Sequence, residues 1–271
     1  MKRLILSLAF VLCCLMAMQA ENPGLKIFAH RGCWSKTPEG VFIIPENSPA
    51  AVREARRNGY LGIECDVRYT KDRKMVVLHD SKLNRTARRS SDYSKLDKPV
   101  RLADLTFEEL RRDYVLESAD STLRTPVPTL EEILLECKKQ GMIPMLHSSV
   151  EESYELAQKM FRNRWICFTT SYDNLLKVRE YSDCVILLSI KGGTAAETIE
   201  KLQKIGGKCG ISSMNYNLYT ESFCRAITDA GYEVQASIFP TEEEAKALKN
   251  GITYILTDHR LYTRKEKRRL R

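Results

Sequence analysis

Paired cysteines, long apolar runs and basic stretches interleaved with aromatics are all missing from the body of this chain. Beyond residue 20 the cysteines number seven (Cys33, Cys65, Cys137, Cys167, Cys184, Cys209 and Cys224), with no Cys-x-x-Cys pair among them. An odd count scattered through apolar stretches suggests neither a disulfide framework nor a zinc cluster, and leaves these thiols as small core residues. Past the N-terminus no segment is long and apolar enough to span a bilayer core of about 30 Å. The net charge of +8 looks at first like a nucleic-acid signature. Arg264 to Arg271 alone carries +5, however, and Lys2 with Arg3 carries another +2, so the body is close to neutral at +1. A nucleic-acid partner is therefore set aside.

The one apolar run stands at the start. Residues 1–20 open with Lys2 and Arg3, continue apolar from Leu4 to Met18, and end at Gln19-Ala20 before the polar Glu21-Asn22-Pro23-Gly24. A basic start, a short apolar run and a small final residue form a secretory signal peptide, which implies a secreted or periplasmic protein. Cys13 and Cys14 raise lipid anchoring as an alternative, against which stand the bulky Phe10, Val11 and Leu12. The basic tail 264–271 is the one low-complexity segment and reads as a solvated terminus.

Between these ends the chain (21–263) carries the rhythm of a parallel sheet. Apolar runs at Ile143 to Leu146, Ile166 to Thr169, Val185 to Leu188, Gly210 to Ser213, Glu233 to Ser237 and Tyr254 to Thr257 start 19 to 25 residues apart. The segments between them have helix signals. Thr129, Thr194 and Thr241 each precede a glutamate by three residues (Glu132, Glu197, Glu244), the reciprocal cap that satisfies orphan N–H groups. Gly141, Gly206, Gly231 and Gly251 follow the helices, where a left-handed backbone favours a residue without Cβ. Lys26 to Ala29 and Gly62 to Val67 add two strands around a helix at Ser48 to Asn58. Eight strands predict an α/β fold, a TIM (β/α)8 barrel, at about the 250 residues typical of it, with an open doubly wound sheet as the alternative. Met75 to His79 predicts the return arm of a hairpin from strand two. The polar segment 81–127 then becomes an insertion over the mouth, with a short helix near Thr106 to Asp113.

The four histidines, His30, His79, His147 and His259, all fall at predicted strand or hairpin-arm ends, the rim where barrel active sites form. In Ile63-Glu64-Cys65-Asp66-Val67 the acids alternate with apolar residues, so Glu64 and Asp66 share the inward face. Two neighbouring carboxylates repel unless a cation lies between them, and oxygen ligands suit Mg²⁺ or Ca²⁺.

Taken in order, His30-Arg31-Gly32, Pro45-Glu46-Asn47-Ser48, Glu64-Cys65-Asp66-Val67, Thr70-Lys71-Asp72, Val76-Val77-Leu78-His79-Asp80 and Arg85-Thr86 resemble the N-terminal signature of the glycerophosphodiester phosphodiesterase family, a TIM barrel of the phospholipase C type. Pro128-Thr129-Leu130-Glu131-Glu132, Thr170-Ser171-Tyr172 and Thr257-Asp258 continue the likeness along most of the mature chain. The resemblance implies His30 and His79 as the general acid/base pair, Arg31 as a phosphate contact, and Glu46, Glu64 and Asp66 at or around a divalent metal, Ca²⁺ or Mg²⁺. It implies hydrolysis of a small phosphodiester, a glycerophosphodiester or a relative, to an alcohol and a phosphomonoester.

Two departures stand out. Where the family has Glu-x-Lys on strand three, this chain reads His147-Ser148-Ser149, so His147 becomes a metal-ligand candidate and a borderline metal becomes an option. Strand seven has Gln235-Ala236-Ser237 in place of the family's Trp-Thr, so the alcohol part of the substrate need not be glycerol. The alternatives are a barrel that binds a phosphorylated ligand without turnover, and a phosphodiesterase for a non-glycerol diester.

Overall fold

A computed structural model describes residues 26–238 and 250–258. The signal segment 1–20 with Cys13 and Cys14, the Thr241–Glu244 cap, His259 and the tail 264–271 lie outside the described residues.

Eight parallel strands close on themselves. They are β1 (Lys26–Ala29), β4 (Gly62–Tyr69), β8 (Ile143–His147), β9 (Ile166–Thr169), β10 (Val185–Ser189), β11 (Cys209–Ser213), β12 (Glu233–Ser237) and β13 (Tyr254–Thr257). Each pairs in parallel with the next, and β1 pairs with both β13 and β4, through Phe28↔Gly62 and Ala29↔Ile63. That last pairing makes the sheet a barrel and rules out the open alternative.

The helices form the outer layer: α1 (Pro49–Arg57), α3 (Leu130–Gln140), α4 (Glu151–Phe161), α5 (Tyr172–Tyr181), α6 (Ala195–Ile205) and α7 (Glu221–Asp229), with α2 (Phe107–Asp113) in the insertion. The predicted reciprocal caps at Thr129–Glu132 and Thr194–Glu197 are present, and Gly141 ends α3 in the left-handed region. On α3 the stripe Leu130, Ile133, Leu134 and Cys137 is fully buried against the sheet. Truncating one of its leucines to alanine should cost about 2–5 kcal/mol.

Strand alternation sorts the side chains. Ile63, Cys65 and Val67 point outward into the core beneath the helices, while Glu64 and Asp66 point into the barrel. The lower interior is filled by Phe28, Met145, Ile166, Phe168, Leu187, Tyr254 and Leu256. Gly62 is required here: a Cβ would meet the Ile143 carbonyl oxygen at 2.1 Å and the Phe28 ring at 2.3 Å. The polar inward residues therefore collect at the C-terminal ends of the strands.

The hairpin arm β5 (Met75–Val77) pairs antiparallel with β4 as expected, but ends two residues early. The Leu78 N–H still donates to the Asp66 carbonyl at 3.0 Å, and beyond it the His79 carbonyl accepts from Arg68 Nε at 2.8 Å. The insertion contains the antiparallel pair β6 (Ala87–Arg89) and β7 (Tyr114–Leu116) and packs its own core of Leu83, Leu102, Leu110 and Leu116 on Val76 and Leu78. A short hairpin between β1 and α1, β2 (Ser35–Lys36) with β3 (Phe42–Ile44), was not expected from the sequence. The seven cysteines among the described residues are all buried, and none of them forms a disulfide there. Among the described residues no helix is long and apolar enough to cross a membrane.

Candidate active site

At the C-terminal end of the barrel a cavity of about 510 Å³ opens. One side is lined by His30, Arg31, Glu64, Asp66, His79 and His147, and the other by residues of the β9 to β12 ends, among them Thr170, Ser189, Lys191, Ser213 and Ser237. Six of the seven residues expected to form the site thus line one space. The seventh, Glu46, is buried beside it.

The two histidines expected to move protons are built alike. His30 Nδ1 lies 2.8 Å from Asp258 Oδ1, which also accepts from Trp34 Nε1 at 3.2 Å. His79 Nδ1 lies 2.7 Å from Asp80 Oδ1. Burial opposes ionisation of both aspartates, but hydrogen bonds outweigh it: from His30 and Trp34 on Asp258, from Arg85 and His79 on Asp80. Both carboxyls are held below the usual range. An ionised carboxylate can only accept, so each Nδ1 carries its proton and each Nε2 is left to act.

Glu64, Asp66 and His147 each place a ligand atom within 4.8 Å of the others'. Their positions follow from register, since Asp66 pairs with His147 across the β4–β8 ladder. His147 Nδ1 is 3.3 Å from Asp66 Oδ1 and 3.8 Å from Glu64 Oε1, and its ring stacks on Phe168 at 4.8 Å. Burial and the neighbouring Asp66 charge push Glu64 well above the ordinary carboxyl range. Burial works against Asp66 as well, yet hydrogen bonds from His147 and Asn47 hold it down at about 2. Glu64 Oε2 accepts the Arg31 backbone N–H at 3.0 Å, while Oε1 is buried with no hydrogen-bond partner among the described residues. A buried acceptor without a donor, beside a second carboxylate and an imidazole, fits a divalent cation.

Glu46 is not brought into this group. Arg85 grips both its oxygens, at 2.8 and 2.6 Å, and Arg31 Nη1 lies at 3.3 Å. Of the expectation that Glu46 lies at or around the metal, the geometry favours the second half: the acid is taken up by two guanidinium groups, one of which, Arg31, also reaches Asp66 at 3.6 Å. Arg85 Nε also donates to Asp80 at 2.7 Å, so a chain of charge runs Arg31–Glu46–Arg85–Asp80–His79. Arg31 and Asn47, neither a glycine, both adopt positive φ (57° and 52°), strain that concentrates beside the site. The turn at Arg31 is fixed by Gly32 (φ 75°), where a Cβ would meet the Ala51 Cβ at 2.7 Å.

Ser149 does not line the cavity, so the position of the family's strand-three lysine supplies no charge to it. On β12 the Gln235 Nε2 donates to the hydroxyls of Ser212 and Ser237, each at 3.1 Å, making a polar wall in place of an aromatic one. Asp258, Asp80, Arg85 and Asn47 were not singled out beforehand as site residues. Asp80 and Arg85 could have been, since an acid beside a histidine and an arginine five residues on are visible in the sequence. Asp258 is paired to a residue 228 positions away and needs barrel closure.

Comparison with known proteins gives a consistent result. Residues 30–260 match the glycerophosphoryl diester phosphodiesterase family. Glycerophosphodiester phosphodiesterase 1 of Mus musculus is 31% identical over 165 residues, 58% of this chain and 44% of the relative. A glycerophosphodiester phosphodiesterase of Bacillus altitudinis is 39% identical over 110 residues, covering 40% of this chain and 38% of the relative. The matched stretch thus spans less than half the length of either relative. Among solved structures, an Oleispira antarctica phosphodiesterase in complex with the product sn-glycerol-3-phosphate superposes with a TM-score of 0.68 at 20% identity, covering 91% of this chain and 97% of that one.

Proposed function

The chain belongs to the glycerophosphoryl diester phosphodiesterase family, and we propose that it hydrolyses a glycerophosphodiester, or a related small diester, to an alcohol and a phosphomonoester. One observation carries the reading: two imidazoles, each with Nδ1 tied to an aspartate, line the same cavity as a buried carboxylate pair.

The chemistry follows from which groups are free. The P–O bond to the departing alcohol breaks badly unless its oxygen is protonated, and one imidazole donates that proton from Nε2. The other removes a proton from the attacking water or hydroxyl. Arg31 faces the negative non-bridging oxygens with a planar donor fork. Glu64, Asp66 and His147 would hold a divalent ion, which when bound offsets charge growing on those oxygens. An imidazole in place of a third carboxylate lowers the negative charge of the set and favours a borderline metal such as Zn²⁺ or Fe²⁺ over Ca²⁺. In the same reading residues 1–20 direct the enzyme out of the cytoplasm.

The test is turnover of glycerophosphocholine and a panel of analogues with and without chelator. Release of alcohol and phosphomonoester, lost on chelation and lowered about 10²–10⁴-fold in His30→Ala or His79→Ala, supports the reading. No turnover across diesters and metals refutes it in favour of a phosphate-binding barrel, for which the absence of the strand-three carboxylate would then account.

A further inference from the structure

The cavity's two sides carry different charge, and the difference bears on substrate choice. In the closed sheet β10 stands four strands from β1 in either direction, so the residues after β10 face His30 and Arg31 across the barrel. Lys191, two residues beyond the β10 end, lines the cavity with an exposed side chain. No ion pair to a carboxylate is present for it among the described residues. Arg31, by contrast, has Glu46 at 3.3 Å and Asp66 at 3.6 Å. Lys191 is the permanently charged cavity cation, among the described residues, with no acid beside it.

Its position is built. Asn215 Nδ2 donates to the Lys191 carbonyl at 3.3 Å, and the Asn215 backbone N–H is itself held by the Ser213 hydroxyl at 3.1 Å. Two adjoining loops thereby fix the base of the lysine stem. The surrounding wall offers hydroxyl donors from Ser189, Ser213 and Ser237. Among the described residues this wall places no carboxylate beside Lys191 for a quaternary ammonium: the lining carboxylates, Glu64 and Asp66, belong to β4, and Phe168 has one face covered by His147.

We infer that Lys191 selects diesters whose alcohol portion carries an acidic group, a second phosphate or a carboxylate, and disfavours cationic alcohols such as choline. The inference rests on the phosphodiesterase reading and narrows it. With the phosphodiester of a substrate against His30 and Arg31, an alcohol arm that crosses the cavity runs toward β10, where an acidic group meets the ammonium as a point charge. A choline group there meets repulsion.

The experiment compares kcat/KM for glycerophosphoinositol 4-phosphate, glycerophospho-N-acetylserine, glycerophosphoinositol and glycerophosphocholine, so that phosphate, carboxylate, neutral and cationic arms are separated. Acidic substrates should exceed glycerophosphocholine by about fivefold, as for one exposed charge pair. The ratio should invert in Lys191→Glu, survive in Lys191→Arg, and shrink toward one in 1 M salt, where the screening length is about 3 Å. A merely structural lysine would move none of these. Equal turnover of all four, or a ratio unchanged in Lys191→Glu, overturns the inference and leaves the hydrolase reading standing. If none is turned over, the hydrolase reading fails, and calorimetric binding of the same four compounds decides: affinity ordered by charge and reversed by Lys191→Glu supports the inference, and unordered affinity ends it.

Discussion

Arg85→Ala is the sharpest perturbation the site offers, because one side chain holds two acids. Arg85 Nε donates to Asp80 at 2.7 Å, and its two Nη atoms reach Glu46 at 2.8 and 2.6 Å. Glu46 is only 4% exposed at its side chain, whereas Arg85 is 38% exposed. Hydrogen bonds to charged groups contribute about 1.5–3 kcal/mol each when shielded, and the exposure of Arg85 reduces its three to roughly 2–3 kcal/mol together. At about 2–4 °C per kcal/mol for a domain of this size, Tm should fall by about 5–10 °C. Much of that loss is the buried Glu46 charge, left with Arg31 at 3.3 Å as its one remaining guanidinium among the described residues. The double variant Arg85→Ala/Glu46→Gln should therefore recover about half of it, by thermal or urea unfolding. In calorimetry Glu46→Gln should change divalent-metal affinity by no more than about twofold, whereas Glu64→Gln should lower it about tenfold or more. Strictly additive losses in the double variant would refute the stranded-charge account, and a metal affinity that collapses in Glu46→Gln would restore Glu46 as a ligand.

Three further outcomes follow from the same geometry. His147→Glu should move the metal preference toward Ca²⁺ or Mg²⁺, and an unchanged binding profile would mean that His147 is no ligand. Asp258→Asn keeps an oxygen for the His30 and Trp34 N–H groups but removes the charge that favours the imidazolium, so kcat should fall about 10–150-fold, the equivalent of one charge-assisted hydrogen bond. A fall confined to KM would refute that role. Asp80 and Asp258 titrate below the ordinary 3.8 when folded, so the stability they contribute is complete above that pH and is lost as pH drops through the lowered values. The stability gap between wild type and Asp80→Asn should accordingly be widest near neutral pH and close in acid unfolding curves; a gap that widens in acid would reverse the assignment.

Strands and caps were readable because the signals that specify them are local. The period-two acids of Glu64-Cys65-Asp66 already stated which face each residue takes, and Thr129 with Glu132 already stated where a helix begins. His30, His79 and His147 could be placed at the rim for the same reason, each following an apolar run. What the sequence withheld was competition. Glu46 is an acid of the right kind near the right place, and only three dimensions reveal that Arg31 and Arg85 reach it first. The hairpin β2–β3 was missed because its strands, two and three residues long, leave too short a period to detect. Asp258 was missed for the opposite reason: its partner His30 is adjacent only once β13 pairs with β1.

The insertion gains its meaning from those same contacts. Residues 81–127 contribute none of the described residues that line the cavity, yet Arg85 extends from this segment to both Glu46 and Asp80. Its far end is tied to the β2–β3 hairpin, where the Ser118 hydroxyl donates to the Ile43 carbonyl at 2.6 Å and the Ala119 N–H to that of Phe42 at 2.7 Å. The insertion is thus clamped to the β1–α1 connection, which carries Arg31 and Glu46, and through Asp80 to the hairpin arm that carries His79. A barrel alone can set strand-end residues such as His30, Glu64, Asp66 and His147 by register. His79 lies beyond its ladder: Arg68 Nε holds its carbonyl at 2.8 Å, and Asp80, itself held by Arg85, orients its ring. Loosening the insertion core, by Leu110→Ala for example, should consequently lower kcat by disordering His79 while leaving the Glu64–Asp66–His147 group and its metal affinity intact.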